Sequence, residues 1–316
     1  MQKRKLGQTQ IKVAPLMFGG NVFGWTLDEA KSFAMLDAFT GAGFDFIDTA
    51  DVYSRFIPGN QGGESETILG KWMKLRGNRD KVILATKVGM EMGEGLQGLS
   101  KAYIFKAVED SLRRLQTDYI DLYQAHTDDE NTPLEETLDA FAQLIQQGKV
   151  RAIGASNYTP QRLEEALQVS QKNNLPGYQS LQPLYNLSDR AAYEDGLQAV
   201  CQKHGLGVIP YFSLASGFLT GKYRTEADFA NSSRGAFTKN YLNARGLRIL
   251  AALDEVAEAR QTNPAVIALA WLMARPTITA PIASATSQTQ LQDLIYATEI
   301  SLTQEEMDKL DKASAA

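Results

Sequence analysis

Short apolar runs alternate with amphipathic stretches along most of the chain, the pattern of buried strands covered by helices. Runs at 14–18, 44–47, 82–86, 119–125, 150–154, 178–182, 207–211 and 278–282 predict eight strands. Between them, helical periodicity marks Asp28 to Phe39, Glu64 to Lys74, Lys101 to Leu115, Leu134 to Gln147, Gln161 to Gln171 and Ala191 to His204. Gly41, Gly148 and Gly205 follow three of these stretches and are placed to take a left-handed cap conformation. Residues 3–13 read as a small hairpin, and residues 212–246 as a long insertion after the seventh strand. Further helices are expected at Leu247 to Gln261, Ala265 to Ala274 and Thr303 to Ala313, the last opened by a Thr303/Glu306 capping box and lying against the barrel. Eight alternating units in one domain, residues 1–316, point to an α/β fold. The expected form is a (β/α)8 TIM barrel with an N-terminal β-hairpin and additional C-terminal helices; a doubly wound sheet is the runner-up.

Three consecutive strands end in ionisable residues. Asp48 closes the run Phe44 to Ile47 and Tyr53 follows in the loop; Lys87 ends the third strand and His126 the fourth. Each has an ordinary explanation taken singly, because carboxylates cap turns and buried Lys–Asp pairs fix barrel interiors. Together at strand carboxyl ends they suggest one converging site. A free tyrosine, with a pKa near 10, is a poor acid at neutral pH unless its phenolate is stabilised. Lys87 is the candidate for that, with Asp48 holding it and His126 placed to donate to a carbonyl oxygen. Such a group suits protonation of an alkoxide as it forms from a carbonyl. None of the four supplies a hydride, so a cofactor must.

Composition narrows the classes. The formal charge of −5 argues against nucleic acid as a partner. Hydrophobic residues make up 44%, yet no run approaches the roughly 20 apolar residues of a membrane span. The amino terminus lacks a signal-like apolar region, and the single cysteine, Cys201, excludes an internal disulfide, so the expected location is cytoplasmic. Two histidines and one cysteine cannot assemble a His/Cys zinc site, and no metal is expected.

The segments Asp48-Thr-Ala-Asp-Val-Tyr53, Ala85-Thr-Lys87 and Gln124-Ala-His126 resemble the catalytic tetrad segments of aldo-keto reductases, in order and context. The resemblance runs from Lys3 to about Lys312 and implies that the hairpin plugs the bottom of the barrel. It implies a nicotinamide cofactor, with Tyr53 as general acid in carbonyl reduction and, as phenolate, base in alcohol oxidation. Ser156, Asn157 and Gln182 would meet the carboxamide and Tyr211 would stack on the ring. Ser213, Leu214, Gly217 and Lys222, with Arg234 beyond, fall in a loop that would close over the pyrophosphate. Ser284, Thr286, Gln290 and Asp293 would surround the adenosine end, and Gly19, Gly20 and Asn21 the cofactor side of the first loop. That adenosine segment lacks Arg and Lys, and Leu294 stands where many relatives carry Asn. NADP(H) is the expected cofactor, with NAD(H) as the alternative. Trp25, Phe56 and Tyr158 are candidate walls for a small carbonyl substrate, or plain rim packing.

Two glycine-rich stretches are set aside. Gly93 to Gly98 fits a dinucleotide fingerprint, but it begins several residues after its strand, and Glu91 and Glu94 would repel pyrophosphate. Ser216 to Tyr223 superficially matches a phosphate-binding loop, but Ser216 and Tyr223 occupy positions that need Gly and Ser/Thr. A rival function comes from the potassium-channel β subunits, which resemble this chain from hairpin to final helix and act chiefly as regulatory partners. A barrel hydrolase or isomerase would want a metal cluster or paired catalytic carboxylates. The absence of an extension before the hairpin and of an evident exposed apolar strip favours the enzyme.

Overall fold

A computed structural model describes residues 1–229 and 238–315. Arg234, expected at the pyrophosphate, lies outside these described residues. Strands β1 (Arg4–Lys5) and β2 (Lys12–Val13) pair antiparallel as the expected hairpin. Eight parallel strands follow, in the order Ile282–Ala283 (β10), Met17–Gly19 (β3), Phe46–Asp48 (β4), Ile83–Val88 (β5), Ile120–Ala125 (β6), Val150–Ser156 (β7), Ser180–Gln182 (β8) and Gly207–Val208 (β9). Val208 bonds to the backbone of Thr277 and Thr279, and Ile282 N–H donates to Pro210 O, so the last strand also meets β9 and the sheet curls onto itself. This is the expected (β/α)8 barrel.

Alternation along the strands sorts side chains into two cores. Met17, Phe46, Ala85, Leu122, Ala152 and Ile209 fill the interior, where Leu6 and Val13 of the hairpin join them from below. Phe18, Ile47, Leu84, Tyr123 and Ile153 face outward into the larger layer under the helices. Register places Asp48 beside Gly19 and Ala85, and Lys87 in one row with Gln124, Gly154 and Ser180. The interior is therefore apolar below and polar at the carboxyl ends of the strands.

Helices begin where the chain supplies a cap: Asp28, Ser100, Thr159, Asn243, Asn263 and Ser287 each accept the N–H three residues on, and Thr303 and Glu306 form the reciprocal capping box. Three expectations need correction. The stretch from Ala191 to His204 is two helices, Ala191–Glu194 and Leu197–His204, broken at Gly196, which takes a φ of 123° and where a Cβ would stand 2.9 Å from Pro160 Cγ. The helix expected from Leu247 starts at Ala244, because Asn243 caps it. Gly41 stays inside its helix, Glu29–Gly41, and Gly43 takes the positive φ; Gly148 and Gly205 take left-handed conformations as expected. The insertion contains short 3-10 turns at Ala215–Thr220, Glu226–Phe229 and Lys239–Tyr241.

Gly154 marks the tightest point of the polar layer. A Cβ there would stand 2.3 Å from Ser180 Oγ and 3.1 Å from Gln124 Cγ. Gly154→Ala is expected to cost about 1–3 kcal/mol through overpacking. Adding Ser180→Gly should return part of it, because Ser180 Oγ has no hydrogen-bond partner among the described residues. Urea unfolding of the two variants checks this, and an unchanged midpoint for Gly154→Ala would contradict the packing argument.

Candidate active site

Asp48 collects the site. Its Oδ2 accepts from Lys87 Nζ at 2.7 Å and from Tyr53 OH at 2.9 Å, and its Oδ1 accepts from Gln182 Nε2 at 3.0 Å. Lys87 Nζ donates also to Thr49 O and to Tyr53 OH, each at 2.8 Å. Asp48 and Lys87 are shut off from solvent, while the Tyr53 side chain is partly exposed. His126 stands edge-on to the Tyr53 ring, with centroids 6.0 Å apart. Strand geometry explains this convergence, because Asp48, Lys87 and Gln182 alternate inward at the carboxyl ends of β4, β5 and β8.

Burial sets the protonation states. It drives the His126 pKa well below the ordinary histidine value, with nearby Lys87 adding to the fall, so the imidazole is neutral and can donate one N–H. Burial also lowers the Lys87 pKa, against the pull of Asp48. Lys87 was expected to favour the Tyr53 phenolate. It does lie in contact, yet burial and the Asp48 carboxylate dominate and hold the phenol pKa well above its usual value. Tyr53 therefore keeps its proton, which suits an acid better than a resting base.

The residues expected around a nicotinamide are joined to this centre. Ser156 Oγ donates to Gln182 O at 2.8 Å, Asn157 Nδ2 to His126 O at 2.8 Å, and Tyr211 OH to Asn157 Oδ1 at 2.8 Å. Asn157 sits at a φ of 56°, a left-handed conformation that asparagine tolerates better than most residues. Gly19, Gly20 and Asn21 are pinned to their neighbours. Ser284 Oγ donates to Gly19 O and shares a 2.7 Å hydrogen bond with Asn21 Oδ1, and Ser65 Oγ donates to Gly20 O. Ser284 thus supports the first loop.

The outer residues divide. Gly217 takes a φ of 99° after Ala215 and Ser216, both also left-handed, in a sharp backbone turn. Ser213 spends its hydroxyl on Pro210 O, and Leu214 leans on the outer core, so these two offer mainly backbone. Lys222 Nζ lies over the Tyr223 ring, and no carboxylate pairs with it among the described residues. Arg224 is different: both its terminal nitrogens are held by Asp254. Thr286 donates to Gln290 Oε1 around the start of helix Gln288–Ala297, which Ser287 caps, and Asp293 is partly exposed on that helix. Trp25 and Phe56 meet edge-to-face with centroids 5.1 Å apart, and Phe56 is 60% exposed. Tyr158 is a correction: it is only 4% exposed and its hydroxyl is bonded to Tyr178 OH, so it belongs to the core and not to a substrate wall.

Two features had no signal in the sequence. The Thr49 carbonyl that accepts a hydrogen bond from Lys87 is backbone, so residue type says nothing about it. The Thr49–Ser65–Gly20 hydrogen-bond chain depends on helix Glu64–Arg76 docking beside the first loop.

The fold and the comparisons with known proteins define a (β/α)8 oxidoreductase. The chain belongs to the aldo/keto reductase family, whose model matches residues 15–315. It is 36% identical over 313 residues to the uncharacterized oxidoreductase YrpG of Bacillus subtilis, covering 96% of this chain and 93% of the relative. It is 33% identical over 323 residues to a probable voltage-gated potassium channel subunit beta of Oryza sativa subsp. japonica, covering 98% and 96%. It is 30% identical over 326 residues to an L-glyceraldehyde 3-phosphate reductase of Escherichia coli O157:H7, covering 99% and 92%.

The buried pair yields a stability prediction. Lys87→Met would leave the Asp48 carboxylate buried without its cation and is expected to cost about 3–5 kcal/mol. Lys87→Met combined with Asp48→Asn should cost less than the sum of the two single changes. Additive losses in chemical denaturation would show that the pair is not coupled.

Proposed function

We propose that the protein reduces aldehydes or ketones to alcohols with a nicotinamide cofactor, Tyr53 acting as general acid. The observation that carries this is the contact of a protonated phenol with a buried ammonium, both on Asp48, beside a neutral imidazole. The cofactor supplies the hydride when bound. His126 donates a hydrogen bond to the carbonyl oxygen and orients it. Tyr53 gives its proton to that oxygen as negative charge builds there, and Lys87 steadies the phenolate left behind. Asp48 fixes the ammonium and is not itself the proton donor.

The residues present fit such a cofactor. Ser156, Asn157 and Gln182 cluster at adjoining strand ends with amide-matching groups, and the Tyr211 ring stands beside them. The left-handed turn at Ala215 to Gly217 would let backbone approach a phosphate closely, as bare or strained backbone does at such sites. Ser213, Leu214, Gly217 and Lys222 would hold the pyrophosphate side. Ser284, Thr286, Gln290 and Asp293 would border the adenosine, and Gly19 to Asn21 would line the first loop. NADP(H) is the cofactor of choice because Lys222 carries no ion pair among the described residues; NAD(H) is the alternative. Trp25 and Phe56 would form an apolar wall for the substrate. Among the described residues no helix is long and apolar enough to cross a membrane, and a small molecule is the proposed partner.

A second reading follows from the likeness to the potassium channel subunit: a nicotinamide-binding regulatory subunit with weak reductase activity. Consumption of NADPH with a panel of aldehydes separates the two. The intact protein should turn over, while Tyr53→Phe should bind cofactor normally and lose turnover by at least about a hundredfold, the usual weight of a general acid. Normal reduction by Tyr53→Phe would remove the assignment of the acid. Tight binding without turnover of any aldehyde would favour the regulatory reading. Lys222→Ala should weaken NADPH more than NADH, as read by fluorescence titration. Equal losses would place this cation at the pyrophosphate and not at the 2'-phosphate.

A further inference from the structure

Asp51 is a buried carboxyl that the chemistry above leaves unused. It lies in the loop between Asp48 and Tyr53 and is only 2% exposed. Neither of its oxygens meets a hydrogen-bond donor in good geometry among the described residues. Its surroundings lie behind the barrel wall, under helices Glu64–Arg76 and Lys101–Leu115. Glu66, from the first of these, is fully buried but satisfied: Thr86 Oγ1 and Arg114 Nε each donate to it at 2.6 Å. Arg114, the one cation from the second helix that faces this pocket, is thus already committed to another carboxylate. Tyr123 OH, from β6, is buried and also unpartnered among the described residues, and the Tyr103 ring belongs to the same electrostatic neighbourhood. On the barrel side the facing charge is Lys87, and the Asp51 N–H donates to the Lys87 carbonyl at 3.4 Å. Of the two carboxyls near Arg114, Glu66 takes it and Asp51 is left out.

We propose that Asp51 is a positioning residue whose proton sets the charge balance around Lys87 and Tyr53, so that ionising it slows carbonyl reduction. This rests on the reductase reading above. With Asp51 neutral, the charges at the tetrad are Asp48 and Lys87, which cancel. An ionised Asp51 adds a second anion that reaches the Lys87 charge through the barrel wall; it holds the ammonium charged but offsets the field that steadies the phenolate after proton transfer, which makes Tyr53 a weaker acid. Asp51 keeps its own proton through turnover; the proton delivered to substrate oxygen leaves the Tyr53 O–H bond.

The titration falls in a usable range. Burial, then Glu66, push the Asp51 carboxyl up, while Arg114, the Val52 N–H and Lys87 pull it down, and the outcome is about 8. A carboxyl raised in the folded state binds its proton more tightly there than in the unfolded chain. Stability from this group is therefore whole below the ordinary aspartate value of about 4 and is lost progressively as pH rises to about 8.

The test is the pH dependence of aldehyde turnover, from about pH 6 to about pH 10, for the intact protein, Asp51→Asn and Asp51→Glu. The intact protein should lose turnover several-fold on the alkaline side with a midpoint near 8. Asp51→Asn should lack that step and Asp51→Glu should keep it with a displaced midpoint. The same alkaline step in Asp51→Asn would overturn the proposal. Thermal unfolding supplies a second readout that needs no turnover. The Tm of Asp51→Asn should gain on that of the intact protein as pH rises through the window above and then hold its margin. Parallel Tm curves would show that Asp51 does not titrate there, and would also overturn it. If the intact protein turns over no carbonyl at any pH, the reductase reading falls and this regulatory role with it; the Tm difference still reports separately on the Asp51 proton.

Discussion

The site hangs on one buried ion pair. Asp48 and Lys87 are both removed from water, and a charge so placed is costly unless its remaining lone pairs and protons are satisfied. Here they are: Asp48 accepts from Lys87, Tyr53 and Gln182, and Lys87 donates to Asp48, Thr49 O and Tyr53. The pair is satisfied by groups that the sheet register already brings together at the ends of β4, β5 and β8. It also fixes the phenol between a cation and an anion only a few ångströms apart, so the position of Tyr53 follows from the pair's own hydrogen bonds.

Around that point the loops are held by short polar ties as well as by apolar packing. Ser54 Oγ donates to Phe23 O and Asn60 Nδ2 to Gly24 O, joining the first two loops on the side where Trp25 meets Phe56. Farther round, Asn186 Nδ2 donates to Phe212 O and Tyr241 OH to Asp189, which fasten both ends of the long insertion to the same turn. Arg245 then reaches Ser188 O and Ser314 O, tying the end of that insertion to the final helix.

Much of this was legible in the sequence, for a physical reason. A fully buried strand needs an apolar run, so a polar residue ending one is conspicuous, and the sequence alone places Asp48, Lys87 and His126 at strand ends. Caps such as Thr303 were equally plain, because only a few side chains can serve an N-terminal N–H. What could not be seen depends on tertiary neighbours. Gly196 sits in a helix break where any side chain would meet Pro160, and Tyr158 turns into the core, where Tyr178 offers its hydroxyl a partner. The helix at Ala244 begins three residues ahead of its apolar periodicity, because Asn243 caps it without adding to that pattern. The protonation of Tyr53 was the subtlest difference: the neighbouring ammonium was foreseeable, but the weight of burial against it was not.

That difference bears on direction. To act as a base in alcohol oxidation, Tyr53 must first surrender its proton, and burial together with Asp48 opposes the phenolate. To act as an acid it starts in the form it already holds. The cost then falls on the phenolate after transfer, and it is offset only while Lys87 remains charged and unscreened by further anions. Asp48 is needed to keep the ammonium in place, yet its own charge works against the phenolate. A second ionised carboxyl at Asp51 would help keep Lys87 charged yet add to that opposition. The arrangement is therefore best balanced with one anion at the tetrad, a condition that the burial of Asp51 and the commitment of Arg114 to Glu66 maintain.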